Sequence, residues 1–292
     1  TLFRSKIGGE FMPIIVNDGI VIQAYNNNTV CIKMLGKEKI LFSKGIGFGK
    51  KFGDKIPKGT KVEKIFIMEN AENLKNFKQI IEKVDKDFFD LCEKIITEIS
   101  RDLNEKLNER IYIGLIDHLN FSIKRIKNKE IIDNPFLDEI KVLYKTEYML
   151  AQKAARIIKE SINVTIPDGE AGLIALHIHS NRNSGNLKDT IKSTNISSMV
   201  VDFIEKGLNM KIPKDSLNYA RFVTHIKFAI KRIMSNSELE NDFIEEIQTK
   251  YKISYKVAKD AAQILEKYLN KKVCEDEIAY LAMHVERFRI YN

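Results

Sequence analysis

The chain is poor in cysteine: Cys31, Cys92 and Cys274 stand far apart, with no C-x-x-C spacing. That scarcity argues against a disulfide framework and a cysteine-built zinc site. Long apolar runs are missing too, none approaching the roughly 18–20 residues that span a bilayer. No basic start followed by an apolar core marks a secretory leader, so the cytoplasm is the expected compartment. Arginine is absent from residues 12–68, where ten lysines oppose only Asp18, Glu38, Asp54 and Glu63. Of the formal net charge of +8, that segment carries +6, residues 1–11 carry +1 (Arg4 and Lys6 against Glu10) and residues 69–292 carry +1. The basic character therefore belongs to one small segment, and a small basic module invites a polyanion, most often nucleic acid.

What the chain does contain is a duplication. His118 and His177 lie 59 residues apart, as do His225 and His284, and the second pair is the first displaced by 107. His118-Leu119-Asn120-Phe121-Ser122-Ile123-Lys124-Arg125-Ile126 returns as His225-Ile226-Lys227-Phe228-Ala229-Ile230-Lys231-Arg232-Ile233, and Ala175-Leu176-His177-Ile178 as Ala282-Met283-His284-Val285. Phe136 and Phe243, Tyr144 and Tyr251, and Ala154-Ala155 and Ala261-Ala262 keep the same offset without a gap. Such self-similarity precedes any fold assignment. It puts four of the five histidines at equivalent places.

The length of 292 residues allows two or three domains of roughly 100–150 residues. A hydrophobic fraction of 44% with 30% charged residues is that of a globular protein. Residues 1–11, ahead of Met12, read as an appended leader outside the fold. Gly19–Tyr25, Thr29–Met34, Lys39–Phe42 and Val62–Met68 read as strands, with turns at Asn26-Asn27-Asn28 and Leu35–Glu38. Four short strands make a marginal core, and homodimerisation is the expected remedy. From Asn73 the period becomes helical, with Phe77, Ile80, Ile81, Val84, Phe88, Leu91, Ile95 and Ile99 on one face. The segments 109–127, 135–161 and 168–180 are predicted helices, repeated over 215–235, 241–270 and 275–287. Pro135 and Pro167 mark breaks, and Ser180–Asn186 reads as the polar linker between copies. The expected fold class is α+β and multidomain: a small antiparallel β domain at 12–70, then all-α bundles at 73–181 and 187–292.

Histidine can switch charge near neutral pH and can accept a phosphoryl group on a ring nitrogen. That group adds roughly −1.5 to −2 charges, enough to reorganise an interface. The bland alternative for each histidine is a hydrogen-bonded structural residue, which duplication would also copy. His179 lies two residues after His177, roughly 200° round the helix, and its repeat partner is Glu286; it reads as accessory. A metal site is disfavoured because neither copy has His at i, i+4 or a cysteine cluster. Asp117 and Glu170 could supply carboxylates, but the equivalent of Asp117 is Thr224. Lys124-Arg125 and Lys231-Arg232 could meet phosphoryl oxygens, with a solvated helix face as the default reading. The loop Gly45-Ile46-Gly47-Phe48-Gly49-Lys50-Lys51 sits between strands and opens no helix, so its G-x-G is no dinucleotide fingerprint. Its glycines, aromatic ring and lysines suit RNA better.

Asn26-Asn27-Asn28, the Ser43–Lys51 loop, Asp117-His118 and Ala175-Leu176-His177 together resemble the BglG/SacY/LicT family of transcriptional antiterminators. The loop, Asn134-Pro135-Phe136-Leu137 and Ala175–Ser180 most resemble its glucose-type branch. The resemblance covers the chain from about residue 19 to its end. It implies a dimeric RNA-binding β domain followed by two phosphotransferase-system regulation domains, PRD1 and PRD2. It further implies binding of a hairpin in a nascent leader transcript, which keeps a terminator from forming. Asn28, Gly45 and Phe48 match RNA-contacting positions, with Asn26, Asn27, Lys44, Gly47 and Lys50 beside them. His118 and His177 match the phosphorylatable pair of PRD1, and His225 and His284 that of PRD2. The implied partners are the RNA hairpin, a sugar-specific enzyme II permease (glucose by the branch), the phosphocarrier HPr and a second copy of the chain. The expectation includes no enzyme activity, no catalytic residue, no cofactor or metal and no membrane insertion. Ser43, where the family commonly has Gly, and Gln23, where a basic residue often precedes the asparagines, depart from the pattern and bear on hairpin preference. A DNA-binding activator with the same regulatory domains would need a helix-turn-helix, which the N-terminal β pattern lacks. A metal-dependent helical hydrolase would need bound metal, and a structural RNA-binding protein would show no histidine phosphorylation.

Overall fold

The computed structural model describes residues 4–7, 10–67, 70–105, 107–130, 132–182, 185–237 and 239–291. Two compact units emerge, Thr1–Ser122 and Ile123–Asn292.

In the first unit a hairpin of β1 (Arg4–Ile7) and β2 (Glu10–Pro13) precedes a five-stranded antiparallel sheet. Strand pairing thus begins inside the segment read as a leader. The sheet holds β3 (Gly19–Asn26), β4 (Thr29–Met34), β5 (Lys37–Phe42), β6 (Lys55–Ile56) and β7 (Lys64–Phe66), in the order β6-β3-β4-β5-β7. The turn before β5 is tighter than expected. Leu35 and Gly36 both take positive φ, 51° and 76°, so a two-residue turn of the twist-matching kind closes the hairpin and releases Lys37-Glu38 to the strand. β6 was not legible, because two residues carry no period. The last strand stops at Phe66, and Met68 lies outside the described residues.

Along most of β4 and the end of β5 the sheet is buried on both faces, which the strand pattern alone did not predict. Val21, Val30, Ile32, Met34 and Leu41 pack with Ile15, Ile56 and Val62 on one side. On the other, Phe42 stacks on Phe89 with ring centroids 4.2 Å apart, and Phe66 meets Phe77, Phe89 and Tyr112 edge-on or tilted at 5.2–5.5 Å. These partners come from α1 (Ala71–Ile81), α2 (Lys86–Leu103) and α3 (Ile111–Lys127). The marginal β core is therefore completed by helices of the same chain. Each such aromatic contributes about 1.5–3 kcal/mol by leaving water. Polar links reinforce the seam: Lys64 bridges Asp90 at 3.2 Å and Glu93 at 2.9 Å, and Lys78 pairs with Glu38.

The helical face read as continuous from Phe77 to Ile99 is broken. α1 ends at Ile81, and Asp85 caps α2 by accepting from the Phe88 N–H. The break shifts the register, so Phe89, 1% exposed, is the core ring and Phe88 is only half-buried. α1 also starts earlier than expected, because Asn70 caps it by accepting from the Glu72 and Asn73 N–H groups.

The second unit holds α4 (Leu137–Leu143), α5 (Lys145–Ile162), α6 (Asp168–Arg182), α7 (Leu187–Leu208), α8 (Leu217–Ser235), α9 (Ile244–Lys250), α10 (Lys252–Leu269) and α11 (Glu275–Tyr291), with the end of α3. The duplication survives to the residue: α9 and α10 are α4 and α5 displaced by 107 at both ends. Two predicted helices are each split. Tyr144 (φ −129°, ψ 42°) and Tyr251 (φ −115°, ψ 44°) leave helical geometry between consecutive helices. Both are aromatic, so no proline or glycine announced either break. Asn163 and Asn270 end α5 and α10 in the left-handed conformation, φ 54° in each, a conformation that asparagine tolerates.

The linker reading also needs correction. α6 continues through Arg182, and Ser180 and Asn181 are buried, bonding back to the His177 carbonyl at 3.1 and 2.8 Å. Only Gly185 and Asn186 remain as described linker, with Asn183 and Ser184 outside the described residues. Within this unit α4 docks on α8 through a buried bond, the Tyr219 hydroxyl donating to Glu139 at 2.6 Å. Among the described residues no helix is long and apolar enough to cross a membrane.

Candidate functional site

The asparagine turn and the glycine loop are knitted into one surface. The Gly45 N–H donates to Asn28 Oδ1 at 2.8 Å, the Asn28 N–H to Asn26 Oδ1 at 2.8 Å, and the Gly47 N–H to the Asn27 carbonyl at 2.9 Å. Ser43 donates its N–H to the Asn28 carbonyl at 3.0 Å, and Lys44 its N–H to Glu63 at 2.8 Å. A Cβ on Gly47 would stand 2.1 Å from the Asn26 carbonyl oxygen, so only glycine permits this approach. Gly45 has φ +74°, a second reason for glycine. The backbone so turned leaves Phe48 74% exposed, with Lys44 exposed and Lys50 half-exposed nearby in sequence. An exposed apolar ring on a lysine-bearing turn has the chemistry to stack on a flat apolar partner such as a nucleobase. Phe52, 82% exposed, shares this character and was missed because it follows the motif. Gln23 does not join the turn; its amide donates to Glu82 at 2.8 Å.

The histidines lie on helices that the duplication matches: His118 on α3, His177 on α6, His225 on α8 and His284 on α11. In the second copy the rings of His225 and His284 have centroids 5.0 Å apart, at the edge of a shallow depression lined by Ala220, Arg221, Thr224 and Phe228. Burial, helped by the charge of Arg232, lowers His225 to about 4. Burial first, then the charges of His225, Arg287 and Arg221, lowers His284 to about 4. Both rings are thus neutral at physiological pH, with an unprotonated nitrogen able to act as nucleophile. His177 is 9% exposed and His118 half-buried. Phe121 and Phe228, one turn beyond His118 and His225, are 61% and 51% exposed. This apolar exposure beside a histidine recurs at the same repeat position in both copies.

The Lys-Arg pairs divide their roles. Lys124 and Lys231 are exposed, as a solvated face predicts. Arg125, however, pairs with buried Glu170, and Arg232 grips buried Glu277 with two bonds of 2.5 and 2.9 Å. Each arginine is thus the counter-ion of a buried carboxylate. Glu277 also lies 3.6 Å from His225 Nε2, beyond hydrogen-bond reach. Glu170, considered as a metal carboxylate, is therefore a structural counter-ion. Among the described residues no three of His, Cys, Asp and Glu gather as a metal would require.

His179 has a defined place. Its Nδ1 lies 3.0 Å from Glu147, which Arg182 also reaches at 2.8 Å, and its ring lies 4.3 Å from that of Tyr144. Burial alone would raise Glu147; the bonds from His179 and Arg182 prevail and hold it at about 2. In the second copy the carboxylate has changed helix: Glu286, the equivalent of His179, accepts from Ser254, the equivalent of Glu147, at 2.5 Å.

A basic sheet with a glycine-built loop, followed by two helical copies that carry histidines at equivalent positions, is the make-up of a nucleic-acid reader attached to a duplicated receiver. The CAT RNA binding domain family matches residues 20–75, and the PRD domain family matches residues 93–181 and 198–288. Transcription antiterminator LicT of Bacillus subtilis is 31% identical over 271 residues, covering 91% of this chain and 98% of that protein. Protein GlcT of Staphylococcus saprophyticus is 31% identical over 275 residues, covering 94% and 98%. A solved structure described as GlcT CAT-PRDI is 39% identical, spans 57% of this chain and 99% of its own, and has a TM-score of 0.48. The chain belongs to the family of transcription antiterminators built from a CAT RNA-binding domain and two PRD domains.

Proposed function

We propose that this protein is a transcription antiterminator: its β domain binds a hairpin in a nascent leader transcript and so prevents the terminator from forming. The observation that carries this is the loop geometry. Asn28 holds Gly45, Gly47 lies against Asn26, and Phe48 stands exposed on the surface they make. Asn26, Asn27, Asn28, Lys44, Gly45, Gly47, Phe48 and Lys50 form the RNA-contacting set, Phe48 by stacking and the lysines by phosphate contact. His118, His177, His225 and His284 are the phosphate acceptors through which a sugar permease and HPr set its activity. The reading is of a cytoplasmic regulator, not an enzyme, acting as a homodimer. A phosphoryl dianion near a two-fold interface would be desolvated beside its mate and disfavour the dimer. Phosphate on PRD1 therefore releases RNA, and sugar influx, by draining the permease of phosphate, restores binding.

The test is phosphotransfer from purified phosphotransferase proteins to the full chain. Site mapping, sedimentation and hairpin titration follow on the same sample. Phosphorylation that changes neither mass nor hairpin affinity removes the switch. Phe48→Ala is expected to weaken hairpin binding by about 1–3 kcal/mol, and unaltered affinity removes the stacking role.

A further inference from the structure

The residues around the two histidine pairs differ between the copies. Arg221 lines the depression at His225 and His284, and also a neighbouring recess of about 480 Å³ whose walls include Asn218, Tyr251, Glu286 and Arg287. Arg221 and Arg287 are both exposed, so their guanidinium groups are available to a new anion. The one carboxylate in that wall, Glu286, is already bonded to Ser254 and, at 2.8 Å, to Arg289. Counting back 107 residues, Arg221 becomes Gly114, Arg287 becomes Ser180 and Asn218 becomes Ile111. Gly114 has no side chain, and the Ser180 hydroxyl is buried and spent on the His177 carbonyl at 3.1 Å. Of a duplication that kept its histidines, only the second copy carries this arginine pair.

We propose that Arg221 and Arg287 form an oxyanion cradle for the phosphoryl group on His284. The proposal rests on the phosphate-accepting role given to the histidines above. In the transfer, a neutral ring nitrogen of His284 attacks the phosphorus of a phosphohistidine donor. The donor's P–N bond breaks, its imidazole leaves with the electron pair, and the new P–N bond forms on His284. The guanidinium forks then meet the equatorial oxygens, as such groups meet phosphate generally. The consequence is that the arginine pair raises the fraction of His284 carrying phosphate at a given supply of donor.

The experiment equilibrates the full chain with phosphorylated HPr and reads each histidine by mass spectrometry at neutral pH. R221Q/R287Q is compared with the parent protein, both checked by circular dichroism. The double variant is expected to lose about tenfold in equilibrium phosphorylation at His284, the size expected of two exposed charged contacts, with His118 and His177 within about twofold. A parent protein that takes no phosphate on His284 overturns the phosphate-accepting reading of that residue, and the cradle with it. Phosphate on His284 that is indifferent to R221Q/R287Q, or lost equally from all four histidines, overturns the cradle alone. Inorganic phosphate titrated into the unmodified chain, followed by the His284 ring signals, is the second arm. Saturable binding there combined with unchanged phosphotransfer in the double variant would make this a free-phosphate site and overturn the proposal.

Discussion

Gly47 shows how one missing side chain can hold two loops together. Alanine there would place a methyl carbon 2.1 Å from the Asn26 carbonyl oxygen, and since both parties are backbone, the asparagine turn must move. Gly47→Ala is expected to cost about 1–3 kcal/mol, as overpacking does, and to weaken hairpin binding as well. Gly36 is the control. Its φ of +76° meets open space, so Gly36→Asn, which tolerates that conformation, should change denaturant midpoint little and affinity not at all. A drop of equal size in both variants would show generic glycine loss instead of a clash. The second residue-scale prediction concerns pH. His225 and His284 titrate near 4 in the folded chain against 6.5 for the free side chain, so between those values the unfolded chain binds more protons. Stability is then complete above about pH 6.5 and falls as pH drops toward 4. Thermal unfolding of the chain should show this loss, on the order of a few kcal/mol for the pair, and H225Q/H284Q should flatten it.

Among elements, α4 is the short helix through which the first helical copy meets the second. Its Glu139 is buried, and burial raises its pKa against the lowering effect of the Tyr219 hydroxyl. Tyr219→Phe removes the donor and leaves the carboxyl without it, an expected cost of about 1–3 kcal/mol. Glu139→Gln keeps an acceptor for the hydroxyl and should cost less. Equal losses in denaturant titration would remove the special status of this bond. The same elements show what the sequence could reveal. Helix positions followed from the apolar period and from the 107-residue repeat, and strands β3 to β5 from alternation between turn residues. The breaks at Tyr144 and Tyr251 were invisible because an aromatic residue at a helix junction has no local signature. In the first copy Tyr144 is held by tertiary contacts, its hydroxyl accepting from Thr194 at 3.4 Å and its ring lying under Lys227 at 4.5 Å. The glycine loop and the four histidines stand out as candidates in the sequence, because each motif is short and contiguous. Their partners do not. Glu170, Glu277 and Glu147 lie 32 or more residues from the groups they bind, and long-range pairing has no period to read.

At the scale of the whole molecule, the chain divides into two compact units. α1, α2 and most of α3 belong to the unit of the β sheet, because the phenylalanines of β5 and β7 need them as cover. Phe89, 1% exposed, anchors that unit, whereas Phe222, fully buried, anchors the core shared by α7, α8, α10 and α11. Truncating a buried phenylalanine costs about 3–5 kcal/mol, a large fraction of the stability of one domain. If each unit unfolds by its own core, Phe89→Ala and Phe222→Ala should act on different transitions. Calorimetry of the full chain is expected to show two heat-absorption peaks, one lowered by Phe89→Ala and the other by Phe222→Ala. Hydrogen exchange would assign the peaks, with amides of β4 and β5 losing protection in the first variant and those of α8 and α10 in the second. A single transition moved equally by both substitutions would mean that the chain folds as one cooperative body. RNA binding would then depend on the integrity of every helix in it. Two separable transitions would mean that the β domain, with α1 and α2, keeps its RNA surface intact while the second unit changes state, which is what a reader coupled to a receiver requires.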